Sequence, residues 1–218
     1  MRVFVSWSGG KESSLALFRA LKTGLHVEFL FNMLDEDGLR SRGHGLRKEI
    51  IEAQSKAIGI PIVYGRASWE DYEREFKRRI KELRNRGIES GVFGDIDFQE
   101  NRDWVEKVCE EAELDVFEPL WKQKYENLLM EFINNGFEAK IISVKSDLIH
   151  DDWIGHPLNW EFIDYLRSRE IDLCGENGEY HTLVTNGPFF QRRIEIVASK
   201  KVVKDDRLLL EIEDFNLI

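Results

Sequence analysis

Six residues near the start of the chain, Ser8-Gly9-Gly10-Lys11-Glu12-Ser13, carry the groups needed to hold a phosphate. Gly9 and Gly10 let the backbone approach an anion closely and adopt positive φ. Ser8 and Ser13 offer hydroxyl hydrogen bonds, and Lys11 offers a cation. The run lies between an apolar segment, Arg2 to Ser6, and an amphipathic one, Glu12 to Lys22. A helix that opens here points free N–H groups and the positive end of its dipole at a ligand. The spacing is not that of the Walker A loop, because Val5 stands where its first glycine belongs and Glu12 where Ser or Thr follows the lysine. Nor is it the GxGxxG dinucleotide pattern. The plainer reading is a glycine turn with a serine helix cap.

A second constellation lies far along the chain. Gly175-Glu176-Asn177-Gly178-Glu179-Tyr180-His181-Thr182 places two carboxylates and a histidine in a glycine-rich loop. Such groups can hold a cation or move a proton. Asn177-Gly178 is equally the signature of a hairpin turn with exposed acids. His150, Asp151, Asp152 and His156 do not fall on one helix face, and Pro157 follows at once, so no metal site is expected there. Lys77-Arg78-Arg79 is flanked by acids and reads as a solvated helix face.

The elements that must position these groups alternate. Apolar runs at Arg2–Ser6, Val27–Leu34, Ile60–Tyr64, Gly91–Ile96 and Val116–Leu120 read as strands. Segments with helical spacing lie between them, at Glu12–Lys22, Leu46–Ile58, Trp69–Arg86 and Asn101–Ala112. Asp35 to Gly45 is polar and reads as a mobile loop. This rhythm predicts an α/β fold, a parallel sheet with helices on both faces, binding its ligand at the carboxyl ends of the strands. After Trp121 the rhythm loosens into a helix at Tyr125–Asn135, a strand at Ala139–Ser146, a helix at Trp160–Ser168, and strand-like runs at Arg193–Ala198 and Leu208–Ile212. The predicted organisation is a nucleotide-binding domain over 1–122 and a smaller α+β substrate-recognition region over 123–218.

Bulk composition narrows the function. The chain has 218 residues and a net charge of -10, which argues against a general nucleic-acid binder. No apolar run approaches the length needed to cross a bilayer. The opening residues lack a signal-peptide pattern, which predicts a cytoplasmic protein. Cys109 and Cys174, far apart in sequence, fit a reducing compartment and neither a disulfide framework nor a zinc site. Oligomeric state is not legible, and a homodimer stays open.

The pattern S-G-G-x-[D/E]-S resembles the PP-loop of the N-type ATP pyrophosphatases, whose architecture is that of the adenine nucleotide alpha hydrolase-like proteins. Further segments, Gly43-His44-Gly45-Leu46, Glu52-Ala53-Gln54, Gly59-Ile60-Pro61, Gly94-Asp95-Ile96, Glu118-Pro119-Leu120-Trp121 and above all Gly175 to Thr182, together resemble the diphthine–ammonia ligase family over nearly the whole chain. Glu12 replaces the commoner aspartate of the loop, and the sequence ends after the shared core, as in archaeal members.

The resemblance implies a reaction. ATP adenylates the carboxylate of diphthine on translation elongation factor 2, and ammonia displaces AMP to give diphthamide. It implies roles for Ser8 to Ser13 on the triphosphate, with Lys11 catalytic, for Met33 and His44 around the nucleotide, and for Gly94 and Asp95 at the fourth strand end. Asp95 is the candidate for Mg²⁺, against a plain N-cap aspartate. Gly175 to Thr182 would recognise the substrate, with Glu176, Glu179 and His181 catalytic and the two acids holding the trimethylammonium group or ammonium. Trp121, Trp153 and Trp160 are candidates for an aromatic wall to that cation, against simple packing. Two other readings keep the loop but change the outcome: adenylation of another acceptor such as a tRNA base, and a protein that binds ATP or AMP without turnover.

Overall fold

The computed structural model describes all 218 residues, which divide into two compact units. One comprises Met1–Ser8 and Glu12–Gln123, the other Gly9–Lys11 and Lys124–Ile218.

The first unit is built on five parallel strands, β1 (Arg2–Ser6), β2 (His26–Leu34), β3 (Ile62–Arg66), β4 (Ser90–Val92) and β5 (Asp115–Phe117), in the order β3-β2-β1-β4-β5. They alternate with α1 (Lys11–Lys22), α2 (Lys48–Ile58), α3 (Tyr72–Asn85) and α4 (Gln99–Glu110). The chain steps outward from β1 to β3, then returns past β1 to β4 and β5. Right-handed crossovers therefore place α1 and α2 on one face of the sheet and α3 and α4 on the other. The side-chain period of two sorts the strand residues accordingly. Phe4, Phe29, Phe31 and Met33 join Phe76, Ile80 and Leu83 of α3 and Val105, Val108 and Cys109 of α4 in one buried cluster. Val3, Val5 and Leu30 point the opposite way and are equally buried. Phe4 meets Phe31 edge-on at 5.8 Å, and Phe31 meets Phe76 at 5.1 Å. Removing one ring from such a cluster costs about 3–5 kcal/mol.

The reversal of direction at β1 and β4 opens a crevice beyond their carboxyl ends. Gly94, just past β4, is small for a physical reason. A Cβ there would stand 3.0 Å from the backbone carbon of Glu12. Asp35 to Gly45 is not the loose loop expected. It folds back on itself through Asp35 N to Arg40 O, Ser41 N to Leu46 O and Arg42 N to Met33 O, each 2.8–2.9 Å. The third to fifth strands are also shifted or shorter than the apolar runs suggest.

The second unit carries an antiparallel sheet of β6 (Glu138–Lys145), β7 (Tyr180–Asn186), β8 (Ile194–Lys204) and β9 (Arg207–Leu217), in the order β7-β6-β9-β8. Its helices are α5 (Tyr125–Asn134) and α6 (Trp160–Ser168). β7 was absent from the sequence reading, and β8 and β9 run to eleven residues each. Asn159 caps α6 by accepting from Phe162 N at 3.0 Å. Trp153 and Tyr180 flank Phe162 at 5.0 and 5.1 Å in the core of this unit.

Candidate functional site

β1 ends at Ser6 and α1 begins at Lys11, so Ser8 to Ser13 forms the strand-to-helix turn that the sequence predicts. Gly9 takes a φ of 85°, which a side chain would oppose. Ser8 Oγ lies 3.2 Å from Ser13 Oγ, so the two hydroxyls bracket the helix start. The tip residues Gly9–Lys11 group with the second unit. Gly9 O accepts from Val184 N at 2.9 Å, and Lys11 N donates to Thr182 Oγ1 at 3.1 Å. The Lys11 ammonium, buried at 6% exposure, donates to Cys174 O and sits 4.5 Å from the centre of the Tyr180 ring. These contacts hold the side chain in place.

Two cavities open at the carboxyl edge of the parallel sheet. The smaller, about 140 Å³, is lined by the end of β1, by Ser8, by Asn32 and Met33 of β2, and by Arg42 and Gly43. Asn32 is 5% exposed. Its amide nitrogen donates to Trp7 O at 2.7 Å, but its Oδ1 is buried with no hydrogen-bond partner. A buried acceptor left unmade costs about 1–3 kcal/mol, and a ligand that donates to it would remove that cost. Met33 lines this cavity, while its carbonyl already accepts from Arg42 N. His44, half-buried, follows Gly43 in the same turn.

The larger cavity, about 320 Å³, is walled mainly by aromatic rings. Trp69, Tyr72 and Phe76 come from the start of α3 and its approach, Phe93 from the end of β4, and Trp104 from α4. Trp104 lies 4.9 Å from Phe76 and 5.8 Å from Tyr72. Asp95 supplies the one charged group in the lining. Burial pushes its carboxyl above the ordinary range, Glu12 adds to the shift, and a 3.3 Å hydrogen bond from Asn101 opposes it. The aromatic residues of α3 escaped the sequence reading because that helix is dominated by charge. The available signal was Tyr72 and Phe76 at i, i+4, with Trp69 one turn earlier.

Gly175 to Thr182 forms a turn leading into β7. Asp172 Oδ1 accepts from Cys174 N and Gly175 N, both at 2.8 Å. Glu179, 8% exposed, uses Oε2 to accept from Asn177 N at 3.0 Å. Its neighbour Arg207 donates to Gly178 O and Ser143 Oγ, and burial lowers its pKa. Glu179 is therefore a buried, hydrogen-bonded part of the turn and not an exposed hairpin acid. Glu176 and His181 are half-buried, and Tyr180 and Thr182 are buried. Gly175 takes φ 71°, and a Cβ there would stand 2.8 Å from the Tyr180 ring.

The remaining candidates are spent elsewhere. Trp121 is faced by Arg102 and Lys122, Trp153 packs on Phe162 and Tyr165, and Trp160 opens α6 on the surface at 42% exposure. His150, Asp151 and Asp152 do gather their ligand atoms within 4.8 Å, although spacing gave no reason to expect it. All three are exposed, and His150 Nδ1 accepts from Asp152 N. Lys77 and Arg78 pair with Glu73, Glu75, Glu82 and Glu111, as a solvated face would. Cys109 is a core thiol, pushed up to about 12 by burial. No helix is long and apolar enough to cross a membrane.

Residues 1–116 match the family model of the diphthamide synthase N-terminal domain, and residues 124–218 match that of its C-terminal domain. The chain is similar to a diphthine–ammonia ligase of Rattus norvegicus, 29% identical over 93% of this chain and 85% of that one. It is also similar to that of Homo sapiens, at 27% over 93% and 85%. To that of Saccharomyces cerevisiae it is 25% identical over its whole length, covering 38% of the yeast protein. A solved structure described as a predicted tRNA methyltransferase subunit from Methanocaldococcus jannaschii aligns over 86% of this chain and all of its own, with 16% identity and a TM-score of 0.45. With both halves of the sequence matched in order, the chain belongs to the diphthamide synthase family.

Proposed function

We propose that this protein amidates diphthine, the modified histidine of translation elongation factor 2, to diphthamide at the expense of ATP. The observation that carries the reading is the glycine–serine turn at the end of the central strand β1 and the start of α1, beside a cavity whose Asn32 Oδ1 still lacks a donor. That arrangement suits a nucleotide, with base or ribose donating to Asn32 and phosphates at the start of α1.

The chemistry follows from the difficulty of displacing oxide from a carboxylate. One carboxylate oxygen of diphthine attacks the α-phosphorus of ATP, and the bond to the β-phosphate oxygen breaks, releasing pyrophosphate. Ammonia then adds to the acyl carbon and AMP leaves with the attacking oxygen, giving the amide. Backbone N–H groups of the turn, the Ser8 and Ser13 hydroxyls and the Lys11 ammonium would stabilise charge gathering on the phosphates. Glu176, Glu179 and His181 are proposed to take part in receiving ammonium and its proton. The hydrogen-bonded Glu179 would act mainly by holding the turn.

Glu12 and Asp95 fit a divalent cation. Burial and the neighbouring acid hold the Asp95 carboxyl up, so a cation would relieve the pair, and two carboxylates with phosphates are a common Mg²⁺ environment. Mg²⁺ held there would supply neutralising charge to the phosphates. A soluble cytoplasmic enzyme is the proposed setting, and a homodimer is one assembly that sedimentation would detect. The test is release of AMP and pyrophosphate from labelled ATP, with elongation factor 2 arrested at diphthine. Release that needs both the factor and ammonium supports the reading. Nucleotide binding with no AMP formed under any of these conditions would overturn it.

A further inference from the structure

We propose that the larger, aromatic-walled cavity of the first unit is a seat for a quaternary ammonium group. Under the reading above, which this inference rests on, that group is the trimethylammonium of the diphthine side chain.

The lining decides the class of ligand. Trp69, Tyr72, Phe76, Phe93 and Trp104 line the cavity, and Asp95 adds a carboxyl group whose ionised form a bound cation would favour. Ring faces attract cations through their quadrupole, and desolvation strengthens the attraction. Polar handles on this wall are already used or stay neutral. Trp104 Nε1 donates to Glu73 at 3.0 Å, Asn101 donates to Asp95, and burial pushes the Tyr72 phenol up to about 12. A primary ammonium would lose water here and find few acceptors in return. A methylated one has no N–H to satisfy, so the site offers it charge and ring contact at little cost.

The position also suits the reaction. The cavity is bounded by Ser6 at the end of β1 and by Phe93 and Asp95 past β4, at the reversal point of the sheet. It shares Ser6, Trp69, Tyr72 and Phe76 with the smaller cavity assigned to the nucleotide. A cation held there would bring an attached carboxylate towards the phosphate turn. Trp69 is 71% exposed, and the Arg42 guanidinium lies 4.5 Å from its ring centre, so a ligand cation at this ring would take the place of that guanidinium.

The test compares choline with 3,3-dimethyl-1-butanol, its uncharged carbon counterpart, by calorimetry on the full chain. Choline should bind roughly tenfold more tightly than the alcohol, and Trp69→Leu should weaken choline roughly tenfold. In steady-state assays choline should compete with the modified factor and not with ATP, and Trp104→Leu, at a ring that lines only the larger cavity, should raise KM for the factor with KM for ATP unchanged. Trp69 is exposed, so its variant is expected to fold, and Tyr72→Leu provides a second ring removal. Equal binding of the two probes, or competition of choline with ATP, would overturn the proposal. Should the wild-type protein form no AMP with the factor, the amidation reading fails. The calorimetric comparison would still decide the cavity by itself.

Discussion

The two acidic regions of this protein look alike in sequence and differ in structure. In the first unit Asp95 lies in an aromatic cavity, takes a 3.3 Å hydrogen bond from Asn101 and another from its own backbone, and still has its carboxyl pushed up by burial. In the second unit Glu179 is more fully buried, and its carboxylate closes a turn by accepting from Asn177 N. Environment separates them. One carboxylate is desolvated with little hydrogen bonding in return, and the other closes its own loop. An acid of the first kind is free to serve a ligand, whereas one of the second kind serves the shape around it.

The comparison can be broken in order of effect. The largest is expected at the phosphate turn. Lys11→Ala should lower turnover at least about a hundredfold, as loss of a charge-stabilising donor does, measured as AMP release from a variant whose circular dichroism is unchanged. Wild-type turnover would remove Lys11 from the chemistry. Next come the glycines that permit close approach. Gly175→Ala adds a Cβ 2.8 Å from the Tyr180 ring at positive φ, and Gly94→Ala adds one 3.0 Å from the Glu12 backbone. Each should cost about 1–3 kcal/mol in denaturant melts, with Gly175→Ala the worse because its backbone is also strained.

Glu179→Ala should be smaller in stability, about 1–2 kcal/mol, because it orphans the Asn177 amide. Glu179→Gln keeps an acceptor there and should recover most of that loss. A Gln variant that is stable but inactive would show that the negative charge itself is used.

The smallest effect is at Asp95 and has the opposite sign. A carboxyl whose folded pKa is raised holds its proton longer in the folded protein than in the unfolded one. Its contribution is therefore most favourable at low pH. It is lost as pH rises from the unfolded pKa through the folded one. Asp95→Asn should raise the melting temperature of the ligand-free protein at neutral pH, and the gain should vanish under acid conditions. No gain at neutral pH would mean that Asp95 is already paired.

What was legible in the sequence follows from periodicity. β1, the turn and α1 could be read because an apolar run, paired glycines and a 3.6-residue stripe succeed one another without interruption. β2, buried along most of its length, is a continuous apolar run for the same reason. The second sheet was harder. β8 and β9 form a long hairpin, and in β8 the largely exposed run Ser199-Lys200-Lys201-Val202-Val203-Lys204 breaks the alternation of apolar and polar residues and hides its length. β7 is hidden in the sequence because Tyr180 to Thr182 belong to the glycine-rich motif and to the strand together. The aromatic cavity was not legible at all. Its rings come from α3, α4 and β4, and only the fold brings them together.

The central claim is transfer of a carboxylate oxygen to AMP, and it can be followed directly. Elongation factor 2 carrying diphthine with a heavy isotope at both carboxylate oxygens would be incubated with the protein, ATP and ammonium, and the AMP and the factor analysed by mass spectrometry. The account predicts that for each amide formed one labelled oxygen appears in AMP and one stays in the amide. Unlabelled AMP, or label in inorganic phosphate, would contradict it.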